Sequence, residues 1–183
     1  MTSTATLPET TTWQLDASHS SVGFSVKHLM IATVKGSFGK FDAAFMGEDK
    51  DLSSAKVTVN VDAASITTAN DQRDGHLRSA DFFDVEQFPA MSFVGKRIIG
   101  DAFGEFKLVG DLTIRGTTKE VTLDATFEGR AKDPWGNSRL GYSATGKIRR
   151  SDFGLTWNQA LEAGGVVVSE DVKISVEASF VRQ

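Results

Sequence analysis

The chain of 183 residues contains no cysteine, which excludes disulfide staples, thiolate nucleophiles and cysteine-held metals together. It also lacks an excess of positive charge: Lys and Arg number 20 against 24 Asp and Glu, a formal net charge of −4. Without a basic footprint, nucleic acid is not an expected partner. No stretch reaches the roughly 18 uncharged apolar residues that a membrane-spanning helix needs. Tyrosine is nearly absent, one against 13 phenylalanines. A ring preferred without its hydroxyl suits an interior that offers a hydroxyl no partner. What is present, 40% hydrophobic and 24% charged residues, is the make-up of an ordinary globule of one domain, not of a disordered or collagen-like chain.

The first eleven residues, MTSTATLPETT, carry no cationic segment and no apolar run. They read as a flexible polar tail over 1–11 and not as a secretory signal, with the folded domain at 12–183. That reading places the protein in the cytoplasm, or in the periplasm or outside the cell if the segment replaces a removed leader.

From Ser20 onward the dominant signal is alternation, the period of a half-buried strand. Residues 171–180 set Val172, Ile174, Val176, Ala178 and Phe180 on one face and Asp171, Lys173, Ser175, Glu177 and Ser179 on the other. Residues 120–128 separate Val121, Leu123, Ala125 and Phe127 from Glu120, Thr122, Asp124 and Thr126. The run 105–115 puts Phe106, Leu108, Gly110, Leu112 and Ile114 together, and 139–149 does so for Leu140, Tyr142, Ala144, Gly146 and Ile148. Val22/Phe24/Val26 and Val57/Val59/Val61 are shorter matches. Two segments change phase: 34–45 at Gly39-Lys40, read as a β-bulge, and 91–99 between Phe93 and Ile98. The total is about eight strands with hairpin-type connections, an all-β antiparallel domain.

One segment breaks the pattern. Asn70 to Ala80 begins with an N-cap residue and an acid in its first turn, and Asp74 and Arg78 stand at the favourable i,i+4 spacing. Gly75 costs about 1 kcal/mol relative to Ala, so the helix is expected to be short, leaning on the sheet through Leu77 and Phe82-Phe83.

Eight amphipathic antiparallel strands close as a barrel or stack as a sandwich, and eight is the size at which a barrel is either filled or holds one small ligand. The inward faces include Gly36, Gly110, Gly146, Ala125, Ala144 and Ala178; these either leave volume or let facing phenylalanines interdigitate, and both remain open. Apart from His28 and the Tyr142 hydroxyl, the inward positions carry almost no polar atom. Sugars and nucleotides would need donors and acceptors there. A hydrocarbon needs none, and its burial contributes about 0.8 kcal/mol per CH₂.

Several motifs resemble the YceI-like family. These are Trp13 to His28 (WQLDASHSSVGFSVKH), Val34 to Phe38 (VKGSF), Asn70 to Pro89 (NDQRDGHLRSADFFDVEQFP), Gly110 to Val121 (GDLTIRGTTKEV) and Arg150 to Gly154 (RSDFG). The similarity runs over essentially all of 12–181. It implies a lipocalin-like eight-stranded barrel around a hydrophobic pore that holds a polyisoprenoid chain, such as an isoprenoid quinone or polyprenyl phosphate. It implies no established catalytic reaction, and many members are exported.

The expected pore residues are Phe24, Phe38, Phe106, Leu108, Gly110 and Leu112, together with Ile114, Leu123, Phe127, Tyr142 and Trp157. Gly110→Leu is expected to fill the pore and leave the barrel folded. Arg73, His76, Arg78 and His28 are candidates for a head group at the mouth, against the plainer reading of a polar network pinning the helix. Segment 151–169 is too long for a hairpin and reads as a mouth loop with a glycine hinge at Gly164-Gly165. His19, His28 and His76 could be assembled into a zinc site, and Ser18, His19 and Asp16 into a hydrolase, but no ligand spacing or nucleophile elbow supports either. Paired carboxylates such as Asp152 and Glu170 are equally unspecific. The expectation is therefore a non-enzymatic carrier or store of isoprenoid lipid, with no catalytic residues, metal or cofactor beyond that lipid, and with a homodimer left open. The rivals are a solid-cored stress-response or interaction module and a lipid-modifying enzyme.

Overall fold

Each alternating segment becomes a strand whose apolar side faces one shared interior. The structure, a computed structural model, describes residues 9–183. Its strands are β1 (Thr10–Leu15), β2 (Ser21–His28), β3 (Ala32–Phe38), β4 (Phe41–Glu48), β5 (Asp51–Asp62), β6 (Ile66–Thr67), β7 (Ala90–Gly100), β8 (Glu105–Ile114), β9 (Thr117–Lys132), β10 (Ser138–Arg149) and β11 (Val168–Arg182), with one α-helix among the described residues, α1 (Asp71–Arg78). The order β1-β4-β5-β7-β8-β9-β10-β11 returns to β1, which closes an antiparallel ring of eight. Of the expected tail, 1–8 lie outside the described residues, whereas Thr10 and Thr11 already pair with Glu48 and Gly47.

The other three strands are continuations. β1 and β2 follow one another along the same edge of β11, with Leu15 opposite Phe180 and Ser21 opposite Glu177. β3 and β4 track them in turn, Phe38 opposite Val22 and Ala44 opposite Gln14. β5 and β6 repeat the device, with Val61 opposite Phe41 and Ile66 opposite Phe38. The change of phase in 34–45 is therefore a corner and not the expected bulge: Gly39 and Lys40 leave the ladder, and their amides donate to the Ser65 carbonyl (3.1 Å) and the Ser65 Oγ (3.0 Å). In β7 a bulge does occur, where the register to β8 shifts between Gly95 and Arg97 and turns Ile98 back to the inner face.

Hairpins 28–32 and 114–117, the helix and segment 150–167 gather at one end, called here the cap end. Hairpins 48–51, 100–105 and 132–138 form the far end. Buried side chains concentrate at both: Phe38, Ile66, Phe82, Ile114, Phe153 and Leu155 at the cap end, Trp13, Phe45, Leu52, Leu140 and Phe180 at the far end. Burial of each large side chain contributes about 1.5–3 kcal/mol.

The helix forms as its caps dictate. The Asn70 side chain accepts from the Arg73 amide at 2.9 Å. Asp74 is buried and accepts from the Thr68 amide (2.8 Å) and hydroxyl (2.6 Å), so its partner is Thr68 and not the Arg78 expected from spacing. Arg78 instead donates to the Ala64 and Ile66 carbonyls, both at 2.9 Å. Beyond the helix, Arg115 in the β8–β9 hairpin donates to the Phe82 carbonyl at 3.0 Å, tying segment 79–89 across the cap end.

Candidate functional site

Between the two packed ends the barrel is hollow. A cavity of about 310 Å³ runs along its axis, within the usual range for ligand pockets. Its walls are the inward residues of almost every strand, among them Val22, Phe24 and Val26 of β2, Val57, Val59 and Val61 of β5, and Val172, Ile174 and Val176 of β11. The last three face inward yet remain only half-buried. In a filled core they would be fully covered.

At the cap end the cavity is bounded by Leu77, Phe82, Phe83, Leu155 and Arg150. Aromatic contacts continue outward from it: Phe38 meets Phe83 edge-on at 6.0 Å, and Trp157 packs on Phe82 at 5.4 Å and His76 at 4.8 Å. Five polar residues border this interior; Ser92, Ser143 and Glu177 stand on outward-facing strand positions, and the other two are Arg150 and Tyr142. Arg150 is buried; its Nε donates to the Ser169 carbonyl (2.9 Å) and its Nη1 to the Leu155 and Trp157 carbonyls (both 2.8 Å). Burial pushes this guanidinium down from its ordinary value, and Glu170, with Oε1 3.5 Å away, pushes back. The other is Tyr142, whose hydroxyl is buried without a hydrogen-bond partner.

The YceI-like domain model matches residues 13–180. The chain belongs to the YceI-like family. A UPF0312 protein of Staphylococcus aureus (strain MSSA476) is 44% identical over 171 residues, covering 93% of this chain and 97% of the relative. Among solved structures, the Campylobacter jejuni YCEI protein is 33% identical with a TM-score of 0.74, covering 86% of this chain and 90% of that one. Burkholderia cenocepacia BcnA shares the fold at 21% identity and a TM-score of 0.78, over 90% of this chain and 98% of that chain.

Within this YceI-like barrel, Phe24, Phe38, Phe106, Leu108, Leu112, Ile114, Leu123 and Tyr142 border the cavity. Three residues expected there do not. Gly110 is covered by the Phe93 ring, and a Cβ on it would stand 2.5 Å from the Val94 carbonyl oxygen. Gly110→Leu therefore forces β7 and β8 apart and does not fill the pore. Phe127 packs behind Tyr142 (5.3 Å) and against Phe103 (5.4 Å) at the far end. Trp157 lies on the outer side of the cap, against His76 and Phe82.

None of the four head-group candidates borders the cavity either. Arg73 donates through Nε to the Thr68 hydroxyl (2.7 Å) and through Nη2 to its carbonyl (2.9 Å). With Arg78 on Ala64 and Ile66, both guanidinium groups pin the helix, as the plainer reading had it. His76 pairs through Nε2 with Asp81 at 2.8 Å. His28 ends β2 opposite Ala32 and Val168. Arg150, which the sequence offers only as the start of the RSDFG motif, does border the cavity. Alternation along β10 runs Tyr142, Ala144, Gly146, Ile148, and one more step lands on Arg150; the signal was there, two residues beyond the last apolar one.

Ser18, His19 and Asp16 do meet, as a turn cap: Asp16 accepts from the Ser18 amide (3.1 Å) and hydroxyl (2.6 Å), and Ser18 Oγ and Asp16 Oδ2 both address His19 Nδ1. A relay needs the serine and the carboxylate on opposite ring nitrogens.

Burial pushes the Tyr142 phenol up to about 12. The unfolded chain ionises near its ordinary value of about 10. Stability is thus unaffected by this group below about pH 10 and falls as pH rises from there through about 12, because the unfolded state releases its proton first. Tyr142 is the one tyrosine, so tyrosinate absorbance reports on it alone. The expected midpoint is near 12 in the folded protein and near 10 in denaturant; a folded-state midpoint near 10 would place the hydroxyl in water.

Proposed function

We propose that this protein binds one long apolar isoprenoid lipid inside its barrel and carries or stores it without altering it. The observation that carries this reading is the cavity of about 310 Å³, walled by aliphatic and aromatic side chains. Such a wall rewards hydrocarbon at about 0.8 kcal/mol per CH₂ and penalises any polar guest whose groups go unbonded. The Saccharophagus degradans domain described as polyisoprenoid-binding has the same barrel, with a TM-score of 0.71. At 15% identity that likeness speaks for the fold, so the ligand class rests on the chemistry of this cavity.

Arg150 and Tyr142 narrow the head group. Arg150 already spends its N–H groups on main-chain carbonyls, so a phosphate inside the barrel would find no free cation. A neutral carbonyl, as in a quinone, can accept from Tyr142 and relieve its orphaned donor. A phosphorylated lipid is expected to keep its head outside. No residue here is assigned a catalytic part, and the lipid is the only bound group the reading needs.

Gentle purification, organic extraction and mass spectrometry test it. A prenyl lipid recovered at about one per chain is the expected result, since the barrel is of the size that holds one small ligand. A clean blank would favour a barrel that works empty or as an interaction module, and turnover of the recovered lipid would make it an enzyme.

A further inference from the structure

The β2–β3 hairpin ends at the cap end in Leu29, Met30 and Ile31, which are 38%, 57% and 85% exposed. The turn is closed by the Ile31 amide donating to the His28 carbonyl at 3.2 Å, with φ of 52° at Leu29 and 63° at Met30. Two consecutive left-handed residues make a turn that Asn-Gly fills best and bulky side chains fill badly. Folding therefore disfavours Leu29 and Met30, and water disfavours all three side chains.

The outer face leading up to this tip is cationic. Alternation points Lys27 and Lys35 outward from the hairpin, and Lys147, Arg149 and Lys173 outward from β10 and β11; all five are exposed. One row across four strands reads Lys147, Lys173, Ser25, Lys35. Lys147 and Lys173 stand directly opposite each other, a repulsive cross-strand pair. Asp171, 3.3 Å from Lys147, is the acid in this group; Glu170 faces Arg150 instead, and Glu162 and Asp152 lie on the neighbouring segment. This is a local reversal of sign in a chain of net charge −4. Ser25 sits four residues below Leu29, roughly 13 Å along the strand. A tip sunk about 5–10 Å into a bilayer would bring this row to the level of the lipid phosphates.

We propose that the cap end docks on an anionic lipid bilayer, with Leu29, Met30 and Ile31 inserted and the lysine row against the head groups. Apolar tip and cationic flank together supply two signals of the kind that stable attachment to a bilayer takes. A protein partner would have to match an apolar pocket to the tip and an acidic rim to the lysines, whereas an anionic bilayer offers both in one surface. The proposal stands on the outside of the barrel and goes beyond the reading of the cavity.

Vesicle flotation of the full chain tests it, with phosphatidylcholine alone and with about a third phosphatidylglycerol. Binding is expected to the anionic vesicles and to weaken as salt is raised. The variant Leu29→Asn/Met30→Gly/Ile31→Ser gives the turn the residues it prefers. It should melt no lower than the parent, yet bind vesicles about tenfold less. Lys35→Glu with Lys173→Glu should lose about tenfold and flatten the salt dependence. Trp135, 81% exposed at the far end, is the control, and Trp135→Ala should bind as the parent does. The proposal is overturned if the parent ignores anionic vesicles, or if the tip variant binds them undiminished. It is equally overturned if the Trp135 change is the one that abolishes binding, or if the tip variant merely turns a dimer into monomers. Flotation is read separately from extracted lipid content, so a failure here leaves the cavity reading standing, and the converse.

Discussion

Replacing Ala144 by phenylalanine is expected to weaken prenyl-lipid binding by about a hundredfold while leaving the melting temperature unchanged or higher. Ala144 lies on the cavity wall in β10, between Tyr142 and Gly146. In a filled core an added ring costs typically about 1–3 kcal/mol through strained rotamers and shifted backbone. Here the ring enters a void of about 310 Å³ and gains burial. The guest, in turn, loses the space of about four methylene groups, roughly 3 kcal/mol at about 0.8 each, and each 1.4 kcal/mol is about tenfold in affinity. Titration of delipidated protein with a prenyl lipid, beside a thermal melt, reads both halves. A variant that melts several degrees lower would mean the barrel is already full.

The second large effect is expected at Arg150. Arg150→Met should destabilise the fold by about 3–5 kcal/mol, a drop of roughly 10 °C in melting temperature for a domain of this size. The isostere keeps the apolar stem but leaves the Leu155, Trp157 and Ser169 carbonyls without their shared donor, and each unsatisfied buried acceptor costs about 1–3 kcal/mol. Relief comes by letting 154–167 swing out to water, so limited proteolysis should cut that segment before the barrel unfolds. Arg150→Lys should rescue little, because one ammonium cannot span three carbonyls in the geometry of a planar fork. Denaturant unfolding gives the energy, and equal stability of the Met variant would remove Arg150 from its place as the clasp of the cap end.

How much of this was legible depends on the range of the interaction involved. Period-two patterning is local, and it marks the eight barrel positions and most of the wall; the helix is legible from its Asn70 cap, which is local too. The corner at Gly39-Lys40 looks like a bulge in one dimension because both shift the phase by one residue; only pairing with Ser65 separates them. Gly110 has an inward parity, but parity does not say that Phe93 on the next strand lies over it. Arg73 and Arg78 carry charges that suit a phosphate, and what decides their use is the nearness of Thr68, Ala64 and Ile66. Arg150 is hidden for a different reason: the last apolar residue of β10 is Ile148, and the inward parity reaches Arg150 only one step later, at the first residue of the 3-10 turn that follows the strand.

β11 carries a consequence for how the molecule is made. In sequence order it follows every other strand among the described residues, and three others share it: β10 on one side, β1 and β2 on the other. Trp13 must wait for Arg182. Until Arg182 clears the ribosome, the inner faces of seven-eighths of a ring stand open with two unpaired edges, a state prone to pairing with other chains. At about 5–20 residues per second, that interval lasts several seconds for every copy. Closure of so distant a pair is also slow in itself. The newborn chain is thus an open apolar trough before it is a barrel, and what it meets in those seconds, a chaperone or the lipid it will keep, is met before the walls have shut.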